Sequence, residues 1–134
     1  MTVRKWTERP AAEDVEAYVR DFVAVLTSGR VEDAEGMVEH AFDDWHENVY
    51  NLFQDHYLMH ATPPDSSFEG NWWRHNREWL SDVTIENPEW VGQRGTTLWV
   101  DVVYQGEPSG YIGEFQVVST DGEWSVQHNA FRMA

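Results

Sequence analysis

The chain has 134 residues, with 24 Asp and Glu against 9 Lys and Arg, a formal net charge of −15, 8 tryptophans and no cysteine. That length suits one domain able to bury roughly two thirds of the surface its unfolded chain exposes, and the missing cysteine excludes a disulfide framework and a thiolate nucleophile. So negative a charge argues against the Lys/Arg surface on which nucleic-acid affinity rests, and no apolar stretch reaches the length of a signal peptide or a membrane span; the expectation is a cytoplasmic protein that binds neither nucleic acid nor membrane.

Residues 1–10 read as a flexible arm, and 11–134 as a single domain. Pro10 fits the first turn of a helix that carries Val15, Tyr18, Val19, Phe22, Val25 and Leu26 on one stripe, with Ser28-Gly29 as its stop. Val31, Ala34, Met37, Val38 and Ala41 keep helical spacing, weakened at Gly36, and predict a second helix that forms a hairpin with the first. Between Val31 and Trp73 there is no Lys or Arg, while ten carboxylates and four of the 6 histidines lie there. Such a block is either a solvated face or a surface that attracts a basic partner.

From Asp43, the residues Trp45, Val49, Leu52 and Phe53 continue a helical face on which His56 is central and His60 peripheral. The stretch from His56 to His60 reads equally as a strand before Pro63-Pro64. In a helix the two histidines stand about 6 Å apart and in a strand about 13 Å apart; with Asp55 they have the types that bind zinc or nickel, but two histidines make only half of a closed tetrahedral site, so no metal is expected. No Gly-rich phosphate loop, Ser nucleophile motif or dinucleotide fingerprint occurs, and no cofactor is implied. Asn71 is placed to cap a short helix bearing Trp72, His75, Asn76, Trp79, Leu80 and Val83.

Beyond Ser81 the period falls to two, and four strands are predicted at Val83–Val91, Thr97–Tyr104, Tyr111–Val118 and Trp124–Phe131. Asp121-Gly122 marks a two-residue hairpin, whose register sets Thr120 opposite Glu123, Val117 opposite Val126 and Phe115 opposite His128. Closing the loop at 106–110 so that Tyr104 faces Tyr111 gives a core face of Leu98, Val100, Val102, Tyr104, Tyr111, Gly113, Phe115, Val117, Trp124, Val126, His128 and Ala130. The reverse face then carries Trp99, Asp101 opposite Glu114, Val103, Ile112, Val118, Asn129 and Phe131, a mixture suited to a homodimer interface.

The order of elements, with Leu52-Phe53-x-Asp55, His60 before Pro63-Pro64, Phe68-x-Gly70 before a helix, and Gly122-x-Trp124-x-Val126-x-His128 in the last strand, resembles the polyketide-cyclase-like branch of the nuclear transport factor 2-like superfamily. The resemblance implies an α+β fold in which N-terminal helices pack in a curved antiparallel sheet, a cone-shaped α+β barrel with a pocket at its open end. It also implies frequent dimers and a small-molecule-binding domain, with cyclase, isomerase or dehydratase activity among its members. Family enzymes pair a pocket carboxylate with a His or Tyr, and here the core face of the last three strands has no carboxylate. On that resemblance His128 is the candidate acid/base, His60 a polar contact at the mouth, and Trp79, Tyr104 and Phe115 walls for an apolar or aromatic ligand. The opposing reading of His128 is a core histidine bonded to a backbone carbonyl. The opposing reading of the whole chain is a non-catalytic interaction or immunity-type inhibitor protein that presents the acidic stretch 32–69.

Overall fold

A computed structural model describes residues 3–49, 51 and 83–133. It is an α+β arrangement in which N-terminal helices pack on a mixed five-stranded sheet. The elements are α1 (Ala12–Thr27), α2 (Val31–Glu35), β1 (Glu39–His40), β2 (Val83–Val91), β3 (Thr97–Tyr104), β4 (Glu107–Thr120) and β5 (Glu123–Met133). The strand order is β1-β5-β4-β3-β2. Among the described residues no helix is long and apolar enough to cross a membrane.

α1 forms where the apolar spacing predicts it, and Val15, Tyr18, Val19, Phe22, Val25 and Leu26 are all buried. Glu13 and Asp14 in its first turn suit the positive end of the helix dipole. The N-terminal segment expected to be a flexible arm is tied to the body: Trp6 and Trp124 exchange backbone hydrogen bonds of 2.9 and 2.8 Å, and the Trp6 ring meets Tyr18 edge-on. The helix expected over Val31–Ala41 ends at Glu35. Beyond Gly36 the chain turns to bury Met37 and Val38, which lays Glu39 and His40 parallel to Gln127 and His128. Packing and strand pairing override a helical propensity already weakened by the glycine.

The Asp121-Gly122 hairpin has both residues at positive φ, 52° and 80°, and the pairs Thr120–Glu123, Val117–Val126 and Phe115–His128 form as the turn dictates. Elsewhere two expectations need correction. Tyr104 faces Glu107, not Tyr111, because Gln105 and Gly106, at φ 50° and 80°, make a second two-residue turn. An irregularity between Asp101 and Val103 then places Asp101 opposite Ile112 and Trp99 opposite Glu114. Leu98, Val100 and Val102 still face inward, since the register differs from the expected one by two residues, which preserves the side.

The second correction is in β5, where Phe115 pairs with His128 but Glu114 pairs with Ala130, leaving Asn129 as an extra residue. This bulge reverses the alternation beyond it. Phe131, expected on the reverse face, lies opposite Gly113 and joins the core. Gly113 has no side chain because a Cβ there would stand 3.0 Å from the Phe115 ring and 3.2 Å from that of Phe131. Val103 and Ile112 on the outer face are also buried within the single chain. Of the apolar residues expected to form a dimer interface, Trp99 and Val118 keep intermediate exposure.

Candidate functional site

His128 sits in the middle of the inner face, opposite Phe115, and is completely buried. Its ring stacks on Phe115 at 4.8 Å, meets Phe131 edge-on at 4.4 Å and approaches Phe22 at 5.4 Å. The indole Nε1–H of Trp45 donates to His128 Nδ1 at 2.8 Å. Because Nδ1 accepts, the neutral ring carries its proton on Nε2, a tautomer assigned from this bond. Nε2 has no hydrogen-bond partner among the described residues.

Burial drives the His128 pKa down from 6.5 to about 3; the Ala130 backbone offsets part of this, though without the geometry of a hydrogen bond to Nε2, and the neighbouring His40 lowers it further. The imidazole is therefore uncharged at neutral pH. Among the described residues no carboxylate bonds to it, and the ring is enclosed.

Trp45 organises the surroundings of this histidine. It opens a helical stretch over 45–49 and stacks on His40 at 5.0 Å, with the ring planes 5° apart. His40 Nε2 meets the Glu35 carbonyl at 2.8 Å, while His46 Nε2 lies 2.8 Å from the Glu35 carboxylate. One turn on, the Asn48 amide serves as a strand residue would: Nδ2 donates to the Phe131 carbonyl at 3.0 Å, and Oδ1 accepts from the Phe131 N–H at 2.9 Å. These two bonds occupy the edge of β5 where β1 no longer runs beside it.

Between the end of β1, this helical stretch and the bulge lies a pocket of about 310 Å³, lined by Phe42, Asp44, Trp45 and Asn48 on one side and by His128, Asn129 and Ala130 on the other. Phe42 is 64% exposed at its rim. A second pocket of about 300 Å³ lies between α1 and β2, against Arg20, Val23, Ala24, Thr27, Val83 and Ile85. On the outer face Glu114 accepts from Trp99 Nε1 at 3.0 Å, Asn129 Nδ2 at 3.0 Å and Arg132 Nη2 at 3.3 Å. Burial tends to raise its pKa, but the hydrogen bonds from Asn129, Trp99 and Arg132 outweigh it and hold the carboxyl below its ordinary value.

The structure brings Phe115 and His128 together and, among the described residues, leaves Tyr104 apart from them. Phe115 is a fully buried core ring. Tyr104 is half-buried at the far end of β3, paired with Glu107 and Val83. His60 and Trp79 lie outside the described residues, as do His56, Asp55 and the Phe68-x-Gly70 segment. Asp101 accepts a hydrogen bond from Asn87 at 2.9 Å. Sequence reasoning missed the pocket residues Phe42, Asn48 and Asn129. Phe42 followed by two aspartates was a usable signal, an apolar ring in an acidic turn, whereas the bulge at Asn129 had none. Among the described residues no group of three or more His, Asp and Glu gathers to hold a metal. No family model, curated protein or solved structure matches the chain.

Proposed function

We propose that this chain is a small-molecule-binding domain of the nuclear transport factor 2-like kind, a cone-shaped α+β barrel that binds without using His128 as an acid or base. The observation that carries this reading is the pocket of about 310 Å³ beside the β5 bulge, whose inner wall is braced by a neutral, enclosed histidine. Its volume falls at the lower end of the usual range for ligand sites, about 300–1,000 Å³. Bulges recur beside binding sites because the extra residue re-aims a side chain, and Asn129 both lines the pocket and ties it to Glu114.

Native mass spectrometry of freshly purified protein tests the proposal, together with a Phe42→Ala variant. A retained small molecule that is lost in the variant supports it. An apo mass under gentle conditions, with no amide shift at 42–48 or 129–130 on screening small aromatic compounds, counts against it. The same spectrum reports whether the chain is the homodimer that the resemblance implies.

A second reading has one specific observation in its favour. No Lys or Arg occurs between Val31 and Trp73, and Glu32, Asp43, Asp44 and Glu47 are exposed. In that reading the chain is a non-catalytic partner for a basic protein surface, with association that weakens steeply as salt is raised. A charge-reversed 43–47 segment that leaves such association intact would refute it.

A further inference from the structure

The polar atoms around the pocket beside the bulge can be accounted for one at a time. Both atoms of the Asn48 amide are committed to the Phe131 backbone. Asn129 is equally committed, its Nδ2 to Glu114 at 3.0 Å and its Oδ1 to Gln127 at 2.7 Å. Trp45 Nε1–H is held by His128, and the His128 ring is sealed from solvent. Among the described lining residues Asp44 carries the one acidic side chain, which is exposed and whose carboxylate takes no hydrogen bond or ion pair among those residues.

Among the described residues the carboxylates beside it share its sign. Asp43 and Glu47 flank it and are exposed. Lys5 is engaged with Glu39 at 3.0 Å, and Arg132 is held between Glu114 and the Trp99 ring. The apolar part of the described lining is the exposed Phe42 ring, the Trp45 ring and Ala130. A free anion beside an aromatic face is the pairing that attracts an ammonium group, through charge and through the ring quadrupole together. An inorganic divalent cation needs several oxygen ligands, and the described lining supplies one carboxylate, with two amide oxygens that each already accept a hydrogen bond. An anionic ligand would be repelled by these carboxylates.

We infer that the pocket beside the β5 bulge takes an organic cation, an ammonium group carried on a small apolar body, with the ammonium between Asp44 and Phe42 and the body against Trp45 and Ala130. This rests on the ligand-binding reading above and names the class of its ligand.

The experiment uses the full chain at physiological ionic strength, titrated with benzyltrimethylammonium, with neutral N-benzylacetamide and with anionic phenylacetate, followed by amide chemical shifts. The expected result is saturable binding of the cation alone, with shifts confined to 42–48 and 129–130. Asp44→Asn should weaken that binding about tenfold, the size of one close charge–charge attraction at a partly exposed site, and Phe42→Ala should weaken it several-fold with the far-UV spectrum unchanged. Equal binding of the neutral compound at these amides, or an Asp44→Asn variant that binds the cation as tightly as the parent, overturns the cation inference and leaves the pocket reading standing. Diffuse, non-saturating shifts with the cation overturn the inference as mere counter-ion association. Silence from all three compounds at these amides removes both the inference and the pocket.

Discussion

Replacing His128 by Ala tests whether the residue at the centre of the sheet is a core element or a working group. The substitution removes a ring packed against Phe22, Phe115 and Phe131, a loss comparable to truncating a core aromatic, about 3–5 kcal/mol. It also strips the Trp45 indole N–H of its acceptor, which costs about 1–3 kcal/mol, while relieving the Nε2–H, which has no partner among the described residues, of a similar burden. The net expectation at neutral pH is roughly 3–4 kcal/mol of destabilisation.

The pH dependence adds an independent signature. His128 titrates at about 3 in the folded chain against an ordinary 6.5, so the unfolded chain binds the proton more readily. The stabilisation from keeping this ring neutral is complete above pH 6.5 and is lost as pH falls towards 3. Between pH 7 and pH 4 the parent should lose roughly 3 kcal/mol through this group alone, and the Ala variant nothing through it. Urea melts of both proteins at pH 7, 5.5 and 4, read by tryptophan fluorescence, should show a wide gap at neutral pH that nearly closes in acid. A gap under about 1 kcal/mol at pH 7, or one that does not narrow on acidification, would refute the enclosed-core argument and return His128 to the list of candidate acids and bases.

Three further substitutions probe other parts of the same structure. Tyr18→Phe removes a hydroxyl that donates to the Met37 carbonyl at 2.7 Å and accepts from the Arg4 N–H at 3.3 Å; a loss of about 1–2 kcal/mol in urea melts is expected, with faster hydrogen exchange at the Trp6 amide. Gly113→Ala forces a methyl to within 3.1 Å of Val100 and 3.0 Å of Phe115, so the thermal midpoint should fall by the equivalent of about 1–3 kcal/mol, and an unchanged midpoint would mean the two phenyl rings yield freely. Glu114→Gln should destabilise at neutral pH, since the carboxylate that accepts from Asn129, Trp99 and Arg132 is lost. Because the folded carboxyl titrates below its ordinary value, that advantage is present above the ordinary pKa and fades as pH drops through the folded one, so parent and variant should converge in acid.

What the sequence disclosed and what it concealed follow from the range of the forces involved. Alternation and turn chemistry are local, and they located β2 and β3 to the residue and fixed Phe115 opposite His128 through Asp121-Gly122. The stripe on α1 is local in the same sense. Gln105-Gly106 was harder to see because Gln is an uncommon residue at positive φ, and the nearby Pro108 and Gly110 suggested a longer loop. Glu39-His40 could not be read at all, since two residues become a strand only when β5 offers them an edge.

The single extra residue at Asn129 had the largest consequence. The parity rule that correctly turned His128 inward was carried on to Ala130 and Phe131, where one bulged residue had already reversed it. The same bulge opens the sheet edge, and the unpaired edge is what the Asn48 amide covers at Phe131. Covering that edge uses one donor and one acceptor of Asn48, and bonding to Glu114 and Gln127 uses one of each on Asn129. Asp44 is the carboxylate of the described lining, so the candidate site arises from the departure from regular strand geometry and not from the alternating pattern that specifies the sheet.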